Sequence, residues 1–334
     1  MLSTLINSNP EIHAIRVPYT LPHVTPTNSY VIIDREDALV IDNATFVEKG
    51  RPYFEEALWE LGIDPSSARF FLTHAHRDHA GLTDAIAGTH ATAYLSSAER
   101  DHHFAPHSAA FSEWIARRLI EEGVPADEAK DSQRVVSCRE YTGRFRGTAV
   151  PLDDGETIRV GSLSLRAVAA PGHTIGQLAL LHPKSGILFS GDAVLFGIAP
   201  SVGFYPDDRD AIADTLTTLE MISASSATEL YLGHGDPTAQ FRMRCTQLAR
   251  HYRMRSLEFE RVIEENPGIT GIEAMKRIRW SRHENRTWED TTLPQRSHCI
   301  YGEGMSYLNH LVLEGKIERG RNANGTACYR PVRN

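Results

Sequence analysis

The sequence has no long hydrophobic run, although 41% of its 334 residues are hydrophobic. No apolar stretch approaches the roughly 20 residues that a membrane-spanning helix needs, so we expect no membrane association. The first residues, MLSTLINSNPEIHAIRVPY, lack a basic start followed by an apolar core, which predicts that there is no signal peptide. With 23% charged residues, the composition is typical of a soluble globular protein.

Cysteine is also scarce. The four cysteines are scattered and form no CxxC pair: Cys138, Cys245, Cys299 and Cys328. This spacing indicates neither a disulfide framework nor a zinc knuckle but reduced thiols, and we therefore expect a cytoplasmic protein. The sequence also has no GxSxG motif, so a nucleophilic serine of that type is not indicated.

Positive charge is concentrated towards the C-terminus. From Phe241 onward there are 17 Lys and Arg against 11 Asp and Glu, a balance of +6, whereas the preceding residues have a balance of −14. This shift predicts two domains, residues 1–240 and residues 241–334. A basic domain suggests an anionic partner such as nucleic acid, but a solvated surface, or docking of one half of the chain on the other, explains the same charge.

Short strands and short helices alternate through the first domain. The apolar run ARFFLTH (68–74) predicts a buried strand, and GLTDAIAGT (81–89) predicts a short helix after it. Residues 97–147 interrupt this alternation with an amphipathic helix that carries Phe111 and Trp114 on its apolar side. We interpret them as a helical insertion in a layered α/β fold that is built on two sheets.

The stretch FLTHAHRDHAGL gathers His74, His76, Asp78 and His79 directly after the predicted strand. Side chains two residues apart on near-extended backbone lean to the same side, which predicts that the first three group together and that His79 leaves in another direction. A polar loop with chance histidines is the alternative, but packed imidazoles would need several separate partners. The stretch therefore indicates a metal centre for one or two ions.

Three later strand ends carry further candidate ligands. His173 follows AVAAPG, Asp192 follows GILFSG, and His234 follows ELYLG. The glycine before each of them lets the backbone turn and leaves room for an ion. One such junction is a weak signal, but three of them behind an HxHxDH motif predict one metal site assembled from distant strand ends.

Taken in order, THAHRDH, PGHT, SGDA and GHGD resemble the metal motifs of the metallo-β-lactamase superfamily. The resemblance covers about residues 15–240, and it implies an αββα sandwich with the metals at one edge of the paired sheets. The implied ligands form three sets: His74, His76 and His173 for the first ion, Asp78, His79 and His234 for the second, and Asp192 as the bridge. Asp42, in LVIDNA, is implied to support the site from behind the ligands.

The ligand types separate the branches of the superfamily. Common dizinc β-lactamases have cysteine at the position of Asp192, and flavodiiron oxygen reductases have glutamate at that of His76, so neither activity is expected. An all His/Asp set is similar to the glyoxalase II, lactonase and ribonuclease branches. We expect two divalent ions, with zinc first and iron or manganese as alternatives for the same donors. The single-iron centre of sulfur dioxygenases shares much of the motif, so one-metal chemistry stays open.

Residues 241–334 predict three helices followed by a β-hairpin with an Asn324-Gly325 turn. This order resembles the winged-helix appendage of one branch of the superfamily, which includes endoribonuclease-like proteins and thioesterases of acyl-CoA or polyketide intermediates. Winged helices bind nucleic acid in other families, but fold analogy alone does not decide function. We expect the appendage to serve substrate closure or homodimerisation rather than nucleic-acid binding.

Three functions fit these patterns. The first is a binuclear metallohydrolase whose bridging hydroxide attacks a thioester, ester or lactone carbonyl of a small acyl substrate. The second is a metal-dependent nuclease or phosphodiesterase on single-stranded RNA or DNA, and the third is a non-catalytic sensor or binding protein. The full ligand set argues against the third. The acidic first domain argues against the second, because a nuclease is expected to carry a basic channel.

Individual residues receive roles on this basis. Asp78 is the candidate catalytic residue, placed to orient the nucleophile or to take its proton. Phe111 and Trp114 are candidate walls of an acyl pocket, together with Phe196 and Tyr205 from the loop after Asp192. The alternative for Phe111 and Trp114 is that they only anchor the insertion helix.

Overall fold

The computed structural model describes residues 1–17, 26–44, 50–101, 107–139, 145–206, 208–280 and 287–332. Packing divides the chain into two compact units. The first unit contains residues 1–105, 140–200 and 218–246, and the second contains residues 106–139, 201–217 and 247–334.

A seven-stranded sheet lies in the first unit, with its strands in chain order. They are β1 (Ser3–Ser8), β2 (Glu11–Arg16), β3 (Asn28–Asp34), β4 (Asp37–Ile41), β5 (Arg69–Phe71), β6 (Thr92–Leu95) and β7 (Thr148–Pro151). The first four strands pair antiparallel, and the last three join in parallel. Parallel strands need long crossover connections, which here contain α1 (Gly50–Glu60), α2 (Arg77–Ala80), α3 (Thr83–Ile86), α4 (Ser97–Glu99), α5 (His107–Glu121) and α6 (Ala126–Arg139).

The second sheet of this unit has five strands in the order β12-β11-β10-β9-β8. They are β8 (Thr157–Val160), β9 (Leu163–Ala169), β10 (Leu178–His182), β11 (Ile187–Gly191) and β12 (Glu229–Leu232). The first four form an antiparallel meander. A longer connection containing α7 (Ala211–Ala224) then brings β12 alongside β11 in parallel.

Alternate residues of the first sheet face two separate cores, as the two-residue period of a strand requires. On one face, residues such as Val40 and Phe70 pack with Phe54 of α1. On the other face, residues such as Ile41 and Phe71 pack with side chains of the second sheet, among them Leu165, Leu180 and Phe189. The first sheet is therefore a middle layer between helix and second sheet, and the predicted α/β sandwich is confirmed.

The C-terminal elements are α8 (Phe241–Glu265), β13 (Ile269–Thr270), α9 (Gly271–Arg277), α10 (Leu293–Gln295), a π-helical turn (Arg296–Ile300), α11 (Tyr301–Leu313), β14 (Ile317–Arg321) and β15 (Ala327–Pro331). The three short strands form one sheet in the order β13-β15-β14. The predicted helices and the predicted hairpin are thus present. The assignment of these elements to a winged helix stays a prediction.

The two compact units differ from the division at residue 240 that composition predicts. Residues 106–139, inside the predicted insertion, pack with the C-terminal segment in the second unit. Arg319 of β14 contacts the carboxylates of Glu121 at 2.9 Å and Glu122 at 3.0 Å, and the Ile272 amide donates to the Glu122 carbonyl at 3.0 Å. The assignment of residues 1–240 and 241–334 to separate domains stays a prediction.

The described helices and cysteines bear on two expectations from the composition, which are the lack of a membrane-spanning helix and the presence of reduced thiols. None of the helices within the described ranges is long and apolar enough to cross a bilayer. Cys245 and Cys328 are buried free thiols. The side chains of Cys138 and Cys299 lie outside the described residues.

Candidate metal centre

All seven candidate ligands lie in the first compact unit, just beyond the C-terminal ends of strands. β5 leads into His74 and His76, after which α2 carries Asp78 and His79. The other three follow the ends of β9, β11 and β12: His173, Asp192 and His234. The structure brings these residues into three overlapping groups in which the ligand atoms lie within 4.8 Å of one another.

One expectation about this stretch is wrong in detail. Strand geometry predicted that Asp78 would group with His74 and His76, because it assumed extended backbone throughout. The extended backbone ends at His76, which is the N-cap of α2. The helical turn directs Asp78 instead towards His79 and His234, as the superfamily resemblance implied.

The first trio consists of His74, His76 and His173. The Nδ1 atom of His76 lies 3.1 Å from Nε2 of His74 and 3.0 Å from Nε2 of His173. Zinc–nitrogen bonds of about 2.0–2.1 Å separate tetrahedral ligand atoms by roughly 3.3–3.4 Å. The three ring nitrogens therefore converge at a spacing that suits one common ion.

The second trio consists of Asp78, His79 and His234. Oδ2 of Asp78 lies 3.3 Å from Nε2 of His234 and 3.8 Å from Nε2 of His79. The loop with His234 is fixed from β3, where the Asn28 amide donates to the Gly233 carbonyl at 2.7 Å and the Tyr30 hydroxyl donates to the Leu232 carbonyl at 2.7 Å.

Asp192 lies between the two trios. Its Oδ2 atom is 3.7 Å from Nε2 of His173 in the first trio and 3.5 Å from Nε2 of His234 in the second, and its Oδ1 atom is 3.5 Å from Nε2 of His79. Within the described part of the chain, Asp192 Oδ1 and His79 Nε2 are buried without a hydrogen-bond partner. Because buried polar atoms are nearly always paired, two such atoms inside an imidazole and carboxylate set fit a site for divalent cations.

Asp42 and Thr73 hold two of the histidines in the tautomer that a metal site needs. Oδ2 of Asp42 accepts from Nδ1 of His79 at 2.8 Å and from the Thr73 hydroxyl at 2.8 Å. The Thr73 hydroxyl oxygen in turn accepts from Nδ1 of His74 at 3.0 Å. When neutral, both rings therefore present the Nε2 lone pair to the site, and Asp42 reaches both trios.

Thr73 is a residue that sequence reasoning missed. Its signal was only its place between the strand end and His74, a position that does not by itself indicate a relay. The contact depends on Asp42, which is 31 residues away in the chain.

Glycine is required where the strand ends crowd together. A methyl group at Gly233 would overlap Oδ1 of Asp192 and lie 2.8 Å from Cε1 of His79. Gly191 has a positive φ of 51°, and a methyl group there would lie 2.7 Å from the Thr73 hydroxyl oxygen. Gly233 thus makes room for the candidate ligands themselves, and Gly191 makes room for Thr73 behind them.

Electrostatics in the site favour charged groups of both signs. Burial alone would lower the pKa of His79 and His234, but the charges of Asp192 and Asp78 outweigh it; the pKa of His79 is well above its ordinary value, and that of His234 rises to about 10. Burial alone would raise the pKa of Asp78 and Asp192, but the neighbouring histidines hold both below the usual range. A divalent cation would replace the histidine protons, as metal binding to such ligands does.

These shifts predict how the stability of the metal-free protein depends on pH. The pKa of His234 is raised from 6.5 to about 10, so its contribution is complete below pH 6.5 and is lost as the pH rises towards 10. The lowered pKa values of Asp78 and Asp192 give a contribution that is present above pH 3.8 and lost as the pH falls further. In excess chelator, we expect the unfolding temperature to fall between pH 6.5 and 10.

Differential scanning calorimetry across this range measures the effect. A His234→Gln variant is the control, because it lacks the titrating ring and should show a shallower fall. Identical slopes for the two proteins would contradict the prediction.

The candidate pocket residues are distributed over both units. In the second unit, the Phe111 ring lies 5.7 Å from that of Trp114 and 6.2 Å from that of Tyr205, in stacked pairs. Phe196 belongs to the first unit, is 40% exposed, and has the Arg244 guanidinium 5.9 Å from its ring centre. The assignment of all four to an acyl pocket stays a prediction.

Comparison with known proteins gives a family match. The family model described as the metallo-beta-lactamase superfamily matches residues 23–234. The stretch contains all seven candidate ligands and Asp42.

The proteins to which the chain is similar include two curated relatives and one solved structure. A probable polyketide biosynthesis zinc-dependent hydrolase, BaeB, of Bacillus velezensis is 27% identical over 229 residues, which cover 67% of this chain and 78% of the relative. The atrochrysone carboxyl ACP thioesterase AgnL7 of Paecilomyces divaricatus is 26% identical over 213 residues, or 63% of this chain and 50% of the relative. A metallo-beta-lactamase family protein of Thermus thermophilus has a TM-score of 0.75 at 23% identity, with 96% and 98% of the two chains covered; it supports the fold alone.

Proposed function

Because the chain belongs to the metallo-beta-lactamase superfamily, we propose that it is a binuclear, metal-dependent hydrolase of a thioester, ester or lactone bond in a small acyl substrate. The observation that carries the proposal is the Asp192 carboxylate, which lies within 3.7 Å of ring nitrogens from both trios. In this position the carboxylate would be a ligand to both ions of a binuclear centre.

Zinc is the ion that we propose for both sites, because five imidazoles and two carboxylates are its usual ligands. His74, His76 and His173 would hold one ion, Asp78, His79 and His234 the other, and Asp192 both. When bound, such ions polarise a carbonyl oxygen and lower the pKa of water to about 7.

Asp78 is the proposed catalytic residue. Its side chain is 35% exposed, whereas that of Asp192 is 8% exposed, so a water molecule can reach the Asp78 carboxylate more easily. Because the pKa of Asp78 lies below its usual range, the carboxylate suits accepting a hydrogen bond from the attacking water better than storing its proton. In hydrolysis, the water oxygen bonds to the acyl carbon, the bond to the leaving group breaks, and that group takes up a proton.

The acyl substrate class is supported by the relatives. One of them carries the name of a hydrolase of polyketide biosynthesis and the other that of an ACP thioesterase. A thioester is therefore the bond that we propose first. We therefore propose that the partner of this protein is a small acyl substrate rather than nucleic acid.

Metal analysis followed by one assay panel tests this function. We expect about two divalent ions per chain, loss of activity in excess chelator, and recovery on adding zinc. The panel contains acyl-CoAs, S-acylglutathione, lactones and single-stranded RNA, and we expect turnover of at least one acyl substrate. Cleavage of RNA alone, or the absence of bound metal, would contradict the proposal.

A further inference from the structure

We propose that Glu99 is a positioning residue for the first trio, and that its carboxylate sets the separation of the two loops that supply His74, His76 and His173. The inference rests on the metal site of the proposed function. Glu99 ends α4 and its side chain is fully buried. No part of the sequence pattern marked it.

The two oxygens of this carboxylate accept from two different loops. Oε2 accepts from the amide of Ala75 at 3.0 Å, and Oε1 accepts from the amide of Gly176 at 2.8 Å. Ala75 lies between His74 and His76, and Gly176 is three residues after His173. One carboxylate thus joins the backbone on both sides of the trio.

The backbone of α4 that carries this carboxylate is itself held in place. The Ser96 hydroxyl accepts from the Glu99 amide at 3.0 Å and caps α4. A methyl group at Gly176 would overlap that hydroxyl and would lie 2.8 Å from Cβ of Ala98 and from the Glu99 amide nitrogen. The Gly176 loop therefore lies directly against α4, where only glycine fits without a shift.

A buried carboxylate is a costly way to gain stability. Removing it from water has a large penalty, and well-packed apolar side chains often serve stability as well as a buried charge does. Hydrogen bonds from amides to a carboxylate are shorter and stronger than neutral ones, so they fix the two loops closely. Groups that orient metal ligands typically contribute 10–100-fold in metal affinity.

The test compares wild type, Glu99→Gln, Gly176→Ala and a control. Glutamine keeps one acceptor but places an NH₂ group against the second amide, so the two loops should separate. The control is Asp34→Asn, because the Asp34 carboxylate also accepts from a distant loop, at the amide of Ser162. Asp34 is the last residue of β3. It lies about 20 Å along the strand from Thr27, which forms an isolated β-bridge with His234.

Zinc affinity is measured by competition with a chromophoric chelator, and ligand geometry by the visible spectrum of the cobalt-substituted protein. We expect Glu99→Gln and Gly176→Ala to weaken the binding of one of the two ions about 10–100-fold and to change the cobalt spectrum. Asp34→Asn should leave the zinc affinity and the cobalt spectrum unchanged. Unfolding temperatures of the metal-free proteins are recorded beside them.

Unchanged zinc affinities and cobalt spectra in both variants, with a lower unfolding temperature alone, would overturn the inference and leave Glu99 with a purely structural role. If Glu99→Gln does not fold, the result for Gly176→Ala alone decides the test. A wild-type protein that binds no divalent ion would contradict the proposed function itself, and the inference with it.

Discussion

Replacing Asp192 with alanine is expected to reduce hydrolysis by about 10³-fold or more and to deplete one or both ions. Asp192 lies within 3.5–3.7 Å of a ring nitrogen of His173, His79 and His234, so its loss disturbs both trios. Metal-ion catalysis supplies several kcal/mol of transition-state stabilisation, and a loss of about 4 kcal/mol corresponds to about 10³-fold in rate. Elemental analysis and steady-state kinetics on the same preparation measure the two effects.

The matched control is Asp236→Asn. Asp236 is 84% exposed and pairs with Arg16 at the surface, and such pairs contribute little to stability. We expect normal metal content and activity in this variant. Full metal content in Asp192→Ala would contradict the assignment of Asp192 as the ligand that bridges the two ions.

Replacing Asp42 with asparagine is expected to weaken metal binding about 100-fold with little change in backbone conformation. Asp42 has a φ of 55°, a left-handed conformation that asparagine tolerates. The backbone amide of Thr73 can keep its acceptor, but the new NH₂ group then faces the Thr73 hydroxyl and Nδ1 of His79, both of which donate to Oδ2 in the native protein. The substitution therefore favours the other tautomer of His79, in which Nε2 carries the proton and cannot bind a cation.

Chelator competition and calorimetry separate the two effects of this substitution. A buried donor that loses its acceptor costs about 1–3 kcal/mol of stability, so the unfolding temperature should also fall. Asp37→Asn is the control at the other end of β4, where the carboxylate accepts from the Gly161 amide and from Arg69. Its stability should fall while its metal affinity stays normal, and equal metal affinities in both variants would count against the role of Asp42.

The sequence could identify the seven candidate ligands that the structure brings together because each follows a strand and because four of them are close together in the chain. The sandwich could be predicted for a similar reason, since alternating strands and helices are local patterns. The sequence did not predict where the extended backbone would end, so Asp78 was grouped with the wrong histidines. Local geometry alone could not locate the helical turn that begins at Arg77.

Thr73 and Glu99 illustrate what the sequence could not provide. Both act through hydrogen bonds to segments 24 to 77 residues away, and neither belongs to a repeated pattern. The packing of residues 106–139 with the C-terminal segment was equally hidden, because composition averages over charges such as Arg319 and Glu122 that pair individually. Burial and pairing of this kind depend on the complete fold.

The order in which the candidate ligands occur along the chain bears on when the proposed metal site can form during synthesis. Among the residues that the structure describes, every group of candidate ligand atoms includes at least one of His173, Asp192 and His234. The HxHxDH stretch is synthesised early, but none of these groups can close until at least β9 and the loop after it have been made and packed. Each complete group therefore forms only once distant segments have folded together, and any selection among competing ions by such a group falls to the folded protein rather than to the HxHxDH stretch alone.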